Sequence, residues 1–314
     1  MIKVTIIGTG SVGSTIAYTM AVTGLASEIV MIDVNNEKAL GEALDIRQGT
    51  PFCSPCSIYA GSYRDATDSD IVIITSGIAR KPGQSRLDLA QTNVNITKSI
   101  IPQITLYAPL AYYVIVSNPV DILTYTFCKC SGLPESHIIG SGTILDTARL
   151  RSRLSEYYHI NQRNVHAYVM GEHGDSSFVP WSLANISNVP IEECSESLSG
   201  GGEVFPPLNY EDVENYVRKS GARVIERKGA TFYAVSISVC HLVKCLLDGI
   251  DTTMTVSTMM HGEYGIDDVC LSVLNVIGNR GASRKVLPEL TDKEVEQLRH
   301  SAQCLKDVIN NLSI

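Results

Sequence analysis

A glycine-rich turn near the start of the chain constrains the fold more than any other feature. Gly8, Gly10 and Gly13 have the spacing G-x-G-x-x-G, directly follow the apolar run 4–7 and open a helix-like stretch. The next apolar run is followed by Asp33, twenty residues after Gly13. A glycine turn between a strand and a helix, with a carboxylate at this distance, is typical of a βαβ unit that binds a dinucleotide.

Each residue of this pattern has a physical role. Gly8 permits the tight turn, Gly10 lets the backbone approach a pyrophosphate at the helix N-terminus, and Gly13 lets the helix pack closely on the strand. Asp33 would accept hydrogen bonds from ribose hydroxyls and repel a 2′-phosphate, which favours NAD over NADP. FAD and S-adenosylmethionine binders can share this start, so the turn alone leaves them open.

The spacing of apolar runs predicts the fold class. Short, nearly continuous apolar runs alternate with helix-like stretches over the first 140 or so residues; they lie at 4–7, 29–32, 71–75, 113–116 and, more weakly, 138–139. Such strands indicate a doubly wound parallel sheet covered on both faces. We expect an α/β chain, with a Rossmann NAD-binding domain over 1–143 and an α+β catalytic domain over 144–314.

The second half of the chain has a different pattern. We predict a helix over 146–159, a strand over 164–170, a glycine loop at 200–202 and long helical segments over 210–247. The run Thr291-Asp292-Lys293-Glu294 is a capping box that opens a final helix.

Composition excludes several classes of function. The net charge of −8 and the pI of about 5.4 argue against nucleic acid as a partner. No apolar run approaches the ~20 residues of a membrane span. Nine cysteines include one C-x-x-C, Cys53 and Cys56, without a second pair at zinc-ligand spacing. We expect free thiols in a reducing cytoplasm and no metal, with a metal site or redox pair as the alternative.

Three further segments carry chemistry, and they lie at 80–89, at 117–121, and at 146–149 together with 171–175. With these motifs, in this order, the chain resembles the lactate/malate dehydrogenase superfamily over essentially its whole length. The resemblance implies an NAD-dependent dehydrogenase that moves a hydride to and from the carbon of a small 2-oxo or 2-hydroxy acid.

Four residues would carry the reaction. Reduction of a 2-oxo acid needs a proton for the carbonyl oxygen, which His173 can supply as imidazolium and recover in reverse. Asp146 looks like its partner, fixing the tautomer and raising the histidine pKa. Arg149 follows Asp146 by about one helical turn and, by the resemblance, binds the substrate carboxylate. Arg86 resembles the loop arginine that polarises the reacting carbonyl.

The remaining site residues are implied by the resemblance alone. Asn118 looks like a neutral donor to the substrate beside the nicotinamide, and Thr231 like the small hydroxyl residue next to the substrate. The stretch 78–89 resembles the family's mobile lid. Further expected cofactor contacts are Val12, Lys38, Tyr63, Gly77, Ile78, Ser99, Val116 and Ser141.

One residue position favours a different substrate from the other distinguishing features. Most distinguishing features, Leu87 after the loop arginine among them, are similar to the lactate branch. Six residues before Arg86, however, the chain has Arg80, as malate dehydrogenases do. With pyruvate this guanidinium would be buried without a partner, whereas the second carboxylate of oxaloacetate would neutralise it. We expect a lactate dehydrogenase scaffold in which Arg80 admits or favours oxaloacetate, with malate dehydrogenase activity as the alternative.

The resemblance also suggests assembly and regulation. Arg151 and His166 match positions where bacterial allosteric lactate dehydrogenases bind fructose 1,6-bisphosphate, and the family implies a homotetramer. Competing classes are a non-catalytic NAD-binding sensor, a methyltransferase and a zinc enzyme built on Cys53 and Cys56. The first two do not need the combination of an imidazole with an arginine clamp, and the zinc enzyme lacks a visible second pair of ligands.

Overall fold

A computed structural model describes residues 1–78 and 86–314, except for the side chain of Arg86. The first half alternates strands with helices. Its elements are β1 (Lys3–Ile7), α1 (Ser11–Thr23), β2 (Glu28–Ile32), α2 (Asn36–Gly49), β3 (Ser57–Ala60), β4 (Ile71–Ile74), α3 (Arg86–Tyr107), β5 (Tyr112–Ile115), α4 (Val120–Ser131) and β6 (Ile138–Gly140).

The second half mixes long helices with antiparallel strands. Its elements are α5 (Ile144–Tyr157), β7 (Val165–His166), β8 (Asn185–Ile186), β9 (Val189–Pro190), α6 (Ile191–Ser197), α7 (Tyr210–Lys228), α8 (Tyr233–Asp248), β10 (Thr252–His261), β11 (Asp267–Gly278), β12 (Gly281–Lys285) and α9 (Asp292–Ile309).

The first six strands form the predicted parallel sheet, in the order β6-β5-β4-β1-β2-β3. The order reverses at β1, which pairs with both β2 and β4. In a doubly wound sheet the crevice at this reversal, outside the carboxyl ends of the strands, is where ligands bind. The predicted Rossmann architecture is therefore confirmed.

Alternate strand residues pack into two separate cores, one on each face of the sheet. Ile6 and Ile73 belong to the core that includes α1 and α8, and Ile7 and Ile74 belong to the core that includes α3 and α4. All four are 3% exposed or less. Both faces are therefore covered, which explains why these strands are nearly continuous apolar runs.

Antiparallel strands extend the same sheet beyond the expected domain boundary. β10 pairs with β6 through Ser257 and Gly140, and β11 and β12 continue the sheet outward. The sequence did not predict these strands or β3. The predicted strand over 164–170 was too long, since β7 covers only Val165–His166 and Met170 forms an isolated bridge with Phe178.

The predicted capping box of the last helix is confirmed. The Glu294 N–H donates to Thr291 Oγ1 at 3.3 Å, and the Thr291 N–H donates to Glu294 Oε2 at 2.9 Å. α9 buries Leu298 and Leu305 against the core. In the part of the chain that the structure describes, no helix is both long and apolar enough to cross a bilayer.

Candidate active site

The glycine turn between β1 and α1 has the geometry of an anion-binding loop. Gly8 has a φ of +101°, and a Cβ there would lie 2.6 Å from the Ser76 backbone nitrogen. A Cβ at Gly13 would lie 1.9 Å from the Gly8 carbonyl oxygen. Gly10 caps α1 without a side-chain hydrogen bond and faces open space. The first N–H groups of α1 are thus available to a pyrophosphate, so this turn fits NAD.

Asp33 lies just after β2, beside the glycine turn. Its carboxylate accepts the Thr9 N–H at 2.7 Å and the Asn35 N–H at 2.9 Å. Partial burial favours the neutral acid, but these hydrogen bonds outweigh it and hold the pKa of Asp33 below its ordinary value. The side chain is therefore an oriented carboxylate at neutral pH, which suits ribose hydroxyls.

A cavity of about 540 Å³ opens at the carboxyl ends of β4 and β5. It collects residues from the sheet, α5, α7 and the segment between α7 and α8. Many expected site residues line it together: Val12, Gly77, Ile78, Val116, Asn118, Ser141, Arg149, His173 and Thr231. The structure therefore brings the expected cofactor and substrate residues to one space.

His173, Asp146 and Arg149 form a connected cluster at this cavity. The Nδ1 atom of His173 lies 2.6 Å from Asp146 Oδ2, and Arg149 Nη1 donates to Asp146 Oδ1 at 2.9 Å. The Asp146 side chain is only 11% exposed, while that of His173 keeps 27% of its surface exposed. One carboxylate thus holds both an imidazole and a guanidinium at the cavity wall.

The cluster sets the charge state of the imidazole. Burial alone would lower the pKa of His173, but the charge of Asp146 and its hydrogen bond outweigh burial and raise the pKa to about 9. Burial would likewise raise the pKa of Asp146, but His173 and Arg149 lower it. At neutral pH the pair is therefore imidazolium and carboxylate, and the imidazolium is an acid that can donate a proton.

The backbone around His173 is held by three separate elements. Gly171 exchanges backbone hydrogen bonds with Ser272 of β11 at 2.9 and 3.1 Å. The Glu172 N–H donates to Ser301 Oγ of α9 at 2.7 Å, and the His173 N–H donates to Asp121 Oδ2 of α4 at 2.8 Å. These contacts fix the backbone that carries the imidazole, and Asp146 orients the ring itself.

Asp121 is a site residue to which the sequence analysis gave no role. It is 2% exposed, and burial raises its pKa to about 6, although the His173 N–H and the His173 charge oppose that effect. Its position at the start of α4, within the segment 117–121, is the only sequence signal that could have pointed to it.

Asn93 was also missed. It is 2% exposed, lines the cavity, and joins Ile78 to Asn118 through its side-chain amide. Nothing in its immediate sequence neighbourhood points to this role, because both partners come from other loops.

Several expected contacts do not line the cavity. Lys38 is exposed on α2, the Ser99 hydroxyl donates to the Ile96 carbonyl of its own helix, and Tyr63 packs against the core. Arg80 lies outside the described residues. Arg86 is the first residue of α3, but its side chain also lies outside the description.

The two expected effector residues do not line this cavity, since Arg151 lies on α5 and His166 on β7. Arg151 donates from Nε to the Ala167 carbonyl at 3.1 Å and stacks over the Tyr168 ring at 5.3 Å, and His166 is exposed. No group of three or more His, Cys, Asp or Glu that could hold a metal occurs among residues 1–78 and 86–314.

Comparison with protein families gives two adjacent matches. Residues 2–140 match the lactate/malate dehydrogenase NAD-binding domain, and residues 143–313 match the lactate/malate dehydrogenase alpha/beta C-terminal domain. Together these models cover nearly the whole chain.

Individual relatives agree with the family models. L-lactate dehydrogenase of Thermoanaerobacterium saccharolyticum is 45% identical over 315 residues, covering 100% of both chains. L-lactate dehydrogenase 1 of Clostridium acetobutylicum is 45% identical over 99% of this chain and 98% of that protein. The crystal structure of minor L-lactate dehydrogenase from Enterococcus mundtii superposes with a TM-score of 0.94 at 36% identity, covering 100% of this chain and 99% of that one.

Proposed function

This chain belongs to the lactate/malate dehydrogenase family, and from that premise we propose that it is an NAD-dependent L-lactate dehydrogenase. The reaction is pyruvate + NADH + H⁺ ⇌ L-lactate + NAD⁺. The observation that carries the proposal is the cluster in which Asp146 holds His173 and Arg149, both of which line a cavity beside the glycine turn. A non-catalytic NAD-binding sensor would have no use for this cluster.

The cluster accounts for binding and proton transfer. With Nδ1 of His173 bonded to Asp146, Nε2 is the atom that gives its proton to the carbonyl oxygen of a 2-oxo acid. Arg149 donates one of its five N–H groups to Asp146, and its other N–H groups can bind the substrate carboxylate. NAD(H), when bound, supplies or accepts the hydride.

Other residues orient the substrate. Asn118, which follows β5, and Thr231, which precedes α8, both line the cavity. Their side chains are neutral hydrogen-bonding groups. Arg86 would stabilise the charge that develops on the carbonyl oxygen. The roles of Arg86 and Arg80 rest on the sequence resemblance.

The substrate is tested by kcat/KM for NADH oxidation with pyruvate and oxaloacetate on one preparation. We expect turnover of pyruvate to L-lactate, with measurable turnover of oxaloacetate because Arg80 offers a partner for the second carboxylate. Arg80→Gln should lower kcat/KM for oxaloacetate by ~10-fold or more without lowering it for pyruvate, since only oxaloacetate pairs with the guanidinium.

Lys81→Gln is the matched control, because it removes one positive charge from the neighbouring position. Unchanged oxaloacetate turnover in Arg80→Gln would remove the specificity role of Arg80. A clear preference of the unaltered enzyme for oxaloacetate would instead make malate dehydrogenase activity the main function.

We further propose a homotetramer that binds fructose 1,6-bisphosphate between subunits. Exposed apolar side chains on two helices that pack together support an interface: Tyr18 and Val22 of α1 and Ile237 of α8 are 58%, 51% and 63% exposed. Light scattering should give about four times the chain mass of 34.1 kDa.

The bisphosphate should lower the pyruvate KM, and Arg151→Gln should abolish that shift. An unchanged saturation curve would exclude the effector.

A further inference from the structure

The Asn93 side chain joins two segments that meet at the cavity. Its Oδ1 accepts the Ile78 N–H at 2.9 Å, and its Nδ2 donates to the Ile78 carbonyl at 3.3 Å and to the Asn118 carbonyl at 2.8 Å. Both partners line the cavity, as does Asn93 itself. The amide therefore bonds to the backbone of Ile78 through both its oxygen and its nitrogen, and to the backbone of Asn118 through its nitrogen.

Only a primary amide of this length meets all three contacts. Asparagine combines an acceptor oxygen with two N–H donors, and here all three engage backbone groups. Aspartate has nearly the same shape but would place an anionic oxygen against two carbonyl oxygens. Because Asn93 is 2% exposed, water has little access to replace a lost bond.

The contacts join the loops that follow two neighbouring strands. Ile78 follows β4 and Asn118 follows β5, and these two strands are adjacent in the sheet. Asn93 reaches both from α3, two helical turns after Arg86, the first residue of that helix. One side chain thus bonds to both an expected cofactor contact and an expected substrate contact.

We propose that Asn93 is a positioning residue for the dehydrogenase reaction, fixing Ile78 and Asn118 at the separation that cofactor and substrate require. The inference rests on the proposed function: Asn93 acts on the reactants through Ile78 and Asn118. Displacing a reacting group by about 1 Å can lower the rate by ~10²-fold. Loss of the Asn93 amide should therefore lower the catalytic rate.

The chain offers a matched control in Asn275 of β11. It is also 2% exposed, and its Nδ2 donates to the Val256 and Val273 carbonyls at 3.1 and 2.9 Å. Its Oδ1 accepts from Thr258 Oγ1 at 3.1 Å. Asn275 therefore makes the same number of side-chain bonds in an equally buried setting, but it does not line the cavity.

The experiment compares Asn93→Asp with Asn275→Asp by three readouts: Tm, the NADH Kd from fluorescence, and kcat/KM for pyruvate. We expect similar falls in Tm. Only Asn93→Asp should lower kcat/KM by ~10²-fold, raise the NADH Kd, and weaken binding of oxamate, a non-reacting analogue of pyruvate, to the NADH complex. If Asn93→Asp fails to fold, Asn93→Ala, which adds no charge, takes its place with Asn275→Ala as control.

Two outcomes overturn the proposal: catalysis and NADH binding that stay normal in the folded Asn93 variant, or equal losses in both variants. Failure of the proposed function is a separate result. It would appear as an unaltered protein that binds NADH but does not turn over pyruvate, and the NADH Kd of the Asn93 variant would then still test whether Asn93 positions Ile78.

Discussion

Replacing His173 with asparagine is expected to lower kcat for pyruvate reduction by ~10²- to 10⁴-fold, the usual contribution of a positioned general acid. Asparagine fills similar space and can still bond to Asp146, but it has no proton to give at neutral pH. The first turn of α1 and Asp33 are untouched, so the NADH Kd should change little. The measurement is steady-state NADH oxidation alongside NADH fluorescence titration.

His159→Asn is the matched control for this variant. His159 is 64% exposed and pairs with Glu203 at 3.1 Å, away from the cavity. It should keep the kcat of the unaltered enzyme. If His173→Asn also kept that kcat, the proton would have to come from another group, and the cluster with Asp146 would not be the catalytic centre. Activity lost together with NADH binding would indicate a folding defect instead.

The fold was predictable wherever a strand is buried on both faces. β1, β2, β4 and β5 are apolar runs because helices cover both sides of the sheet there. β3 was not predicted because it is an edge strand with a half-exposed pattern, Ser-Ile-Tyr-Ala. β10 carries buried threonine and serine residues between its methionines, so its sequence lacks the apolar run that marks the parallel strands.

Site residues could be predicted from local motifs and from the family resemblance, but not where a role depends on tertiary packing. The spacing of Asp146 and Arg149 on one helix, and a histidine between glycines, pointed to residues that the structure brings together. Asp121 and Asn93 act through backbone groups that are distant in sequence. Their roles depend on how α3 and α4 pack against neighbouring loops. A short stretch of sequence does not indicate this packing.

Replacing Asp146 with asparagine is expected to have the second large effect, and its pH dependence is diagnostic. In the unaltered enzyme the His173 pKa is raised to about 9. Pyruvate reduction needs the imidazolium, so its rate should be level below that value and fall as the pH rises through it. Lactate oxidation needs neutral imidazole and should rise over the same range.

Asp146→Asn removes the stronger of the two carboxylate charges that raise the His173 pKa, while burial, which lowers it, remains. Both pH profiles should shift to lower pH, and pyruvate reduction at pH 7.5 should fall by ~10²- to 10⁴-fold, because few molecules hold the imidazolium and the tautomer is no longer fixed.

Acidification should restore part of the rate in Asp146→Asn, which a merely structural defect would not allow. Asp70→Asn, which alters an exposed carboxylate that accepts the Lys3 N–H at 2.8 Å, should leave both profiles unchanged. A profile of Asp146→Asn that keeps its inflection near pH 9 would mean that Asp146 does not set the histidine pKa. The low activity would then have to come from the unfixed tautomer of His173 and the altered Arg149 contact.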